Sequence, residues 1–435
     1  MYKHIILWII NTALLLISTW TFGQDHWSLE QCIEMALKNN PAIHRAELQY
    51  ELQNIDKRQA WQNALPSVNG NIGHSWSQGK NIDPTTNQFI EQTISSGNAS
   101  LGAGMYLFNG FKIFHDIRKQ AAAHKAESLN YEAQKETLIL DVIEAYITVL
   151  TAKDLLEQAE NQLLLTQEQF EQAETLFEEG NIDPGDYHDL KGAFSENKNV
   201  VSTSEQHLFH SRIRLAGLLH QSVEKLSELK PLTVMETSIS TTSELFETGK
   251  QRPFYALWDW RIKEAKQNIR MAQSSYYPSL SLNAGMSTRY SNSSDVKFWD
   301  QNENNLGKYL SLNLNIPIFN GFTVRNTVKK AKLNFMDVEW QKEIVENNLR
   351  EATSKAVFDL TMTEKNYQNL VEQETNYQES YRVAQTKFDL GASNSVMLLT
   401  AKNKWENSKN QMVIKHYEWI LQTYLNAYYL GKLEF

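Results

Sequence analysis

Residues 309–319, YLSLNLNIPIF, put Leu310, Leu312, Leu314, Ile316 and Ile318 on one side of an extended chain and Ser311, Asn313 and Asn315 on the other. A period of two predicts a strand, and Pro317 falls near its end, where a ladder tolerates a missing N–H. The same alternation runs through SLSLNAGM, with Leu280, Leu282, Ala284 and Met286 on one face, and through NASLGAGMYLF, with Ala99, Leu101, Ala103, Met105 and Leu107. LPSVNGNIG begins another such strand, so two pairs are expected, joined by polar connections over 78–96 and 291–308. Elsewhere the period is helical. Ile139, Val142, Tyr146 and Val149 recur at threes and fours within a proline-free segment over 111–178, as do Val345, Leu349, Ala352 and Ala356 over 322–389. Each long segment closes on a glycine turn, EEGNIDPGD or DLGASNS, after which a helix of about 40 residues returns. Shorter helical segments precede the strands. Ser28 and Gln31 form a capping-box signature, Pro41 predicts a kink or break, and Pro66 and Pro278 end these segments.

The order is said twice. Pro66, Ser67, Asn71 and Gly73 fall on Pro278, Ser279, Asn283 and Gly285; FNGF at 108–111 falls on FNGF at 319–322; QAETLFEEG at 172–180 falls on VAQTKFDLG at 383–391. A nearly constant offset over so many residues indicates tandem duplication. The halves are read as 24–222 and 253–435 with a Ser/Thr/Glu-rich connector at 223–252.

A helix of about 67 residues is about 100 Å long and is stable only against neighbours along its length. Strands of about 11 residues match a tilted bilayer crossing, with apolar and polar faces as in a membrane barrel. Four strands in one chain leave open edges that hydrocarbon does not accept, so several chains are expected to pool them: two would supply eight strands and three would supply twelve. Glycine lets the chain leave a strand at FNGF, Asn109 and Asn320 are expected to cap the following helices, and the phenylalanines suit a membrane boundary. An ordinary strand–turn–helix in a soluble protein is the alternative.

Composition narrows the class. The chain has 435 residues and a formal net charge of −9, which gives no basic footprint for nucleic acid. Met1–Lys3 is positive, Ile5–Ile17 is almost wholly apolar, and STWTFGQ is small and polar; this is the form of a signal peptide over 1–23, favoured over a spanning anchor because the apolar run is short. The single cysteine, Cys32, forms no internal disulfide and is expected to pack in a helix.

SLEQCIEMALKNNP near the start, a PS strand opening in each half, LFNGF and IFNGF exits and two glycine tips occur in one order across nearly the whole mature sequence. In these features the chain resembles the TolC-like outer-membrane efflux proteins. The resemblance implies a mainly α fold with a small β portion: a homotrimer whose 12-stranded β-barrel sits in outer-membrane lipid of a Gram-negative bacterium and continues as a periplasmic α-helical coiled-coil barrel. It further implies a passive exit duct of a tripartite efflux or type I secretion system, working with a periplasmic adaptor (membrane fusion) protein and an inner-membrane transporter.

The resemblance places the tips Gly180, Asn181, Ile182, Asp183 and Pro184, and Gly391, Ala392, Ser393, Asn394 and Ser395, against the adaptor at the periplasmic entrance. The same residues also suit plain turn chemistry, since Gly ends helices and Asp or Asn starts them. Asp186 and Asp189, three apart on one helix face, are pore or gate candidates, beside the reading that acids simply favour a helix N-terminus. Some family members carry acids after the second tip; Met397 and Thr400 stand there in this chain. Pro66, Phe108, Asn109, Gly110 and Phe111, with Pro278, Phe319, Asn320, Gly321 and Phe322, mark the strand-to-helix transitions.

Asp183, Asp186, His188 and Asp189 match no firm metal-ligand spacing, and His207 with His210 lacks a third ligand. No nucleophile elbow, phosphate loop or dinucleotide fingerprint occurs, so neither catalysis nor a cofactor is expected. Trp76, Phe89, Tyr290, Phe298, Trp299 and Tyr309 suggest an aromatic girdle or simple loop packing. The pore is expected to be polar and net acidic. A soluble periplasmic coiled-coil scaffold or adaptor is the alternative function.

Overall fold

The computed structural model describes residues 26–82, 87–235 and 241–433, so the expected leader lies outside the described residues. Helices α1 (Leu29–Asn39) and α2 (Pro41–Gln62) precede strands β1 (Ser67–Ser77), β2 (Lys80–Ile82), β3 (Phe89–Glu91) and β4 (Ile94–Asn109). Helices α3 (Lys112–Glu178), α4 (Pro184–Leu218), α5 (Thr242–Gly249) and α6 (Pro253–Gln273) follow. The second half adds β5 (Ser279–Ser291), α7 (Phe298–Asn304), β6 (Gly307–Asn315), α8 (Thr323–Asp389) and α9 (Ser395–Tyr429). Both long helices have 67 residues and both returning helices have 35. Packing divides the chain into two compact units. One comprises Glu47–Tyr131 and Pro253–Glu346; the other comprises the described residues up to Ala46 with Glu132–Arg252 and those from Asn347. Each unit draws on both copies; the division at 222 and 253 is a proposal about ancestry.

The first of these units holds a four-stranded antiparallel sheet in the order β1-β4-β5-β6. Cross-strand partners share a face, so the register decides what each face is made of. One face carries Val68, Ile72 and Trp76 of β1 and Leu310, Leu312 and Leu314 of β6. Between them, Leu101 pairs with Met286, Ala103 with Ala284 and Met105 with Leu282. This apolar face is open: Ile72 is 87% exposed and Leu310 73%. The other face is mainly Asn, Ser and Gly, with Ile94, Tyr106, Arg289 and Tyr309 among them, and it supplies none of the acidic lining expected of the pore, since none of the four strands contains Asp or Glu. β1 and β6 each pair on one side only.

Three expectations change here. β6 stops at Asn315, so Ile316, Pro317 and Ile318 lie beyond it. Its partner β5 begins at Ser279, opposite Asn315, and Pro317 has no N–H to continue a ladder. The polar connections contain structure of their own: the β2–β3 hairpin in one and α7 in the other. The proposed girdle also divides. Trp76 and Tyr290 register on the apolar face, with Phe298 against Tyr290 (5.0 Å) and Trp299 against Phe298 (5.2 Å), whereas Phe89 belongs to the separate hairpin. Tyr309 pairs with Gly285 on the polar face, its ring lying where a Cβ on Gly285 would stand 2.7 Å from it.

At both FNGF runs the glycine and the second phenylalanine take left-handed angles: φ is 66° and 65° at Gly110 and Phe111, 60° and 63° at Gly321 and Phe322. Two such residues in succession turn the chain out of the sheet into α3 or α8. The caps differ. Asn109 Oδ1 accepts from Ile113 N–H (3.3 Å), but at the second exit the backbone carbonyl of Asn320 accepts from Thr323 N–H (3.2 Å). Phe108 with Phe111 and Phe319 with Phe322 make matching edge-to-face pairs.

In the other unit, Ser28 and Gln31 form the expected capping box, and Asn40 interrupts the helix just before Pro41. Leu29, Cys32, Ile33 and Ala36 of α1 and Val142, Ile143 and Tyr146 of α3 are buried. The Tyr146 hydroxyl lies 2.9 Å from the carbonyl of Trp27 and 2.7 Å from that of Lys230, tying the start of the chain and the connector to α3. Gly249 at the end of α5 leaves room for Leu349 of α8, whose Cδ1 would stand 2.8 Å from any added Cβ.

Candidate functional site: the paired hairpin tips

Each helix hairpin turns by the same chemistry. Gly180 (φ 73°) and Gly391 (φ 68°) end the long helices in the left-handed conformation. Asn181 N–H donates to Leu176 O and Gly180 N–H to Phe177 O; Ala392 N–H to Lys387 O and Gly391 N–H to Phe388 O repeat the pattern. These paired bonds satisfy the last helical carbonyls. Asp183 then caps α4 by accepting from Gly185 N–H (2.7 Å), with Pro184 in its first turn, and Asn394 caps α9 by accepting from Met397 N–H (3.1 Å).

The two tips are joined. Ser395 N–H donates to Asp186 Oδ1 (2.9 Å), and Ser395 Oγ–H donates to Asp189 Oδ2 (2.7 Å). Two carboxylates singled out as pore candidates therefore meet one buried serine of the other hairpin. Ile182 is partly buried and packs on a core of Ala173, Tyr187, Leu190, Tyr381 and Leu398, so it is less available than its tip neighbours. Gly180, Asn181, Asp183, Pro184, Gly391, Ala392 and Asn394 are exposed, and Ser393 is half-buried. The acids of the DPGDYHD stretch do not converge: Asp183 faces Gly185 N–H, Asp186 and Asp189 face Ser395, and the His188 ring stands edge-on to Tyr187. Among the described residues no group of three or more His, Cys, Asp or Glu is placed to hold a metal ion.

Behind the tips, ring contacts recur at positions 211 residues apart. Phe170 of α3 stacks on Phe194 of α4 (5.4 Å), and Tyr381 of α8 stacks on Trp405 of α9 (5.2 Å) at the equivalent places. Lys198 and Lys409 cover Phe194 and Trp405 in turn. The copies then diverge, because the second carries a polar network where α3, α4, α8 and α9 meet. Lys402, 1% exposed, donates to Thr166 Oγ1 and to Gln169 Oε1 (3.3 Å) and faces Glu406 at 3.6 Å. Asn197 Nδ2 donates to Thr166 Oγ1 (2.6 Å), while Gln169 Nε2 donates to the Tyr381 hydroxyl (2.7 Å) and Gln385 Oε1 (2.6 Å). Burial lowers the pKa of the Lys402 ammonium and raises that of the Glu406 carboxyl, each opposed by the other's charge. Sequence reasoning missed this network. Nothing local distinguishes a buried lysine from a solvated one; only the repeat alignment, which sets Ser195 of the first copy against Glu406, gives a faint signal.

The second tip also carries an apolar rim, which its glycine pattern does not signal. Leu390 is 78% exposed, and Val396 and Met397 are exposed beside it.

The family model for the outer membrane efflux protein matches residues 32–220 and 252–422. The chain belongs to the outer membrane efflux protein family. Among its relatives, this efflux protein is 21% identical over 426 residues to the outer membrane protein TolC of Salmonella enteritidis, covering 93% of this chain and 82% of that one. It is 24% identical over 403 residues to the cation efflux system protein CusC of Escherichia coli O6:H1, covering 88% and 81%. Its fold superposes on the outer membrane protein VceC of Vibrio cholerae with a TM-score of 0.81 at 14% identity, covering 93% of this chain and 96% of that chain. As an efflux-family protein the chain is an outer-membrane exit duct for efflux or secretion, a transport protein of that membrane. No helix among the described residues is long and apolar enough to cross a bilayer.

Proposed function

We propose that the protein works as a homotrimer in which each chain contributes β1, β4, β5 and β6 to one closed 12-stranded barrel. The observation that carries this reading is the open sheet: Val68, Ile72, Leu310, Leu312 and Leu314 of its apolar face are exposed, and its edge strands have partners on one side only. In water such a face and such edges favour aggregation, and in lipid unpaired edges are excluded; closure with sister subunits removes both problems. The helical hairpins continue the duct through the periplasm, and the tips dock a periplasmic adaptor linked to an inner-membrane transporter. Exposed Leu390, Val396 and Met397 supply apolar contact there, and Gly180 and Gly391 allow close approach. Asp186 and Asp189 hold the entrance in shape by clamping Ser395, in addition to placing negative charge near it.

The test is detergent extraction of outer membranes followed by sedimentation and planar-bilayer recording. A threefold protomer mass with stepwise conductance is expected; a stable single chain in plain buffer would return the scaffold reading to first place. Adaptor docking is tested by cross-linking from Ala392→Cys, with Gln341→Cys, on the same chain but away from the tips, as the control that should remain unlinked.

A further inference from the structure

The four barrel strands contain only two charged residues, Arg289 on β5 and Lys308 on β6, both cationic, in a chain whose formal net charge is −9. The register separates them. Lys308 pairs with Met286 and so lies on the apolar face, where a long side chain reaches along the wall toward the polar boundary. Arg289 pairs with Asn98 and so lies on the polar face, among Ser287, Ser96 and Ser291. It stands near the loop end of the sheet, far along β5 from Ser279, where that strand emerges from the helix. Its carbonyl accepts from Asn305 Nδ2 (2.8 Å), which anchors the backbone to the segment after α7. Its side chain is exposed and, among the described residues, makes no ion pair.

We propose that Arg289 is a specificity-determining residue of the duct: the one fixed charge on the wall of its outer segment, biasing passage there toward anionic solutes. The proposal rests on the reading that the polar face becomes the lumen. An amide- and hydroxyl-lined wall presents weak dipoles of both signs and favours neither ion. A guanidinium stays charged at every physiological pH, and in a symmetric assembly it recurs once per subunit as a ring. No strand residue on the same face offsets it, because the four strands carry no carboxylate. The acids near the helix tips belong to the other compact unit, so the bias is tested on the sheet itself.

A local readout is therefore needed. Ser287→Cys places a thiol on the same face two residues from Arg289, and Leu312→Cys places one on the opposite face. The native thiol is silent, since Cys32 is buried and burial pushes its pKa up to about 12. Full-length protein in native outer membranes is labelled with methanethiosulfonates carrying either a sulfonate or a trimethylammonium group, with rates normalised to a free thiol. At about 10 mM salt the Debye length is about 30 Å, so adding Arg289→Gln to the Ser287→Cys protein is expected to lower the anionic-to-cationic rate ratio at the introduced thiol by roughly two- to fivefold, with Arg289→Lys retaining it. Loss of the difference at about 1 M salt is expected as well. An unchanged ratio on adding Arg289→Gln, with the polar-face thiol labelled and the apolar-face thiol of Leu312→Cys protected, overturns the role of Arg289 and leaves the barrel reading intact. Equal labelling of the two introduced thiols overturns the barrel reading itself, and the assignment falls with it.

Discussion

Replacing Lys402 with methionine keeps the aliphatic stem and removes only the ammonium. Glu406, 9% exposed, would then be buried without its ion-pair partner, keeping only the weaker influence of Lys409, and Gln169 Oε1 would lose its donor, while Thr166 would keep Asn197. Breaking a buried pair from one side costs about 3–5 kcal/mol, because the remaining charge keeps its desolvation penalty. At the lower figure, local opening of the tip region becomes roughly 150-fold more frequent. Amide hydrogen exchange of the solubilised assembly reads this directly, over 395–410 in α9 and 160–172 in α3, without requiring reversible global unfolding. The double variant Lys402→Met with Glu406→Leu should return most of the protection, since an apolar pair of similar volume replaces the ionic one. The pH response gives a further check. Burial raises the Glu406 pKa, so the folded carboxyl binds a proton more readily than the unfolded one. In Lys402→Met the deficit is then full above the folded pKa and shrinks as pH falls through it toward the ordinary carboxylate range. Exchange in Lys402→Met within threefold of the parent, or a deficit that grows on acidification, would refute this account of the network.

The two FNGF exits make a matched pair. Gly110→Ala and Gly321→Ala both force alanine into the left-handed region, at about 1 kcal/mol each. At Gly110 the new Cβ would also stand 2.4 Å from Ser274 O and 2.9 Å from Tyr277 Cβ, whereas at Gly321 nothing lies within 4 Å. Gly110→Ala should therefore lower the yield of heat-resistant assembly markedly and Gly321→Ala only slightly; equal effects would show that strain alone matters. Ser395→Ala removes the bond to Asp189 but keeps the N–H bond to Asp186, so tip protection should fall by about 1 kcal/mol, roughly five- to tenfold in exchange. Equal exchange in Ser395→Ala and its parent would mean that the clamp carries no energy.

Short-range pattern was enough for much of this protein. Alternation in YLSLNLNIPIF and a 3.6 period sustained without proline identify strand and helix because backbone geometry presents side chains with just those periods. Ser28 with Gln31, Gly180, Gly391, Asp183 and Asn394 act through bonds to residues within five positions, and a repeated order of such signals made the fold class legible before any contact was known. Asn320 and Ile316–Ile318 depart from the local pattern because a cap and a strand end also depend on a partner: the first exit uses its side chain and the second its carbonyl, and β6 ends where β5 begins.

Tertiary structure alone decided what meets across hundreds of residues. Ser395 finds Asp186 and Asp189 more than 200 positions away, and Lys402 finds Thr166, because hairpins distant in sequence lie side by side and no local periodicity encodes which rungs coincide. Register likewise set Tyr309 and Arg289 on the polar face and Lys308 on the apolar one, since a one-residue shift in pairing exchanges the two sides of a sheet while leaving the sequence pattern unchanged.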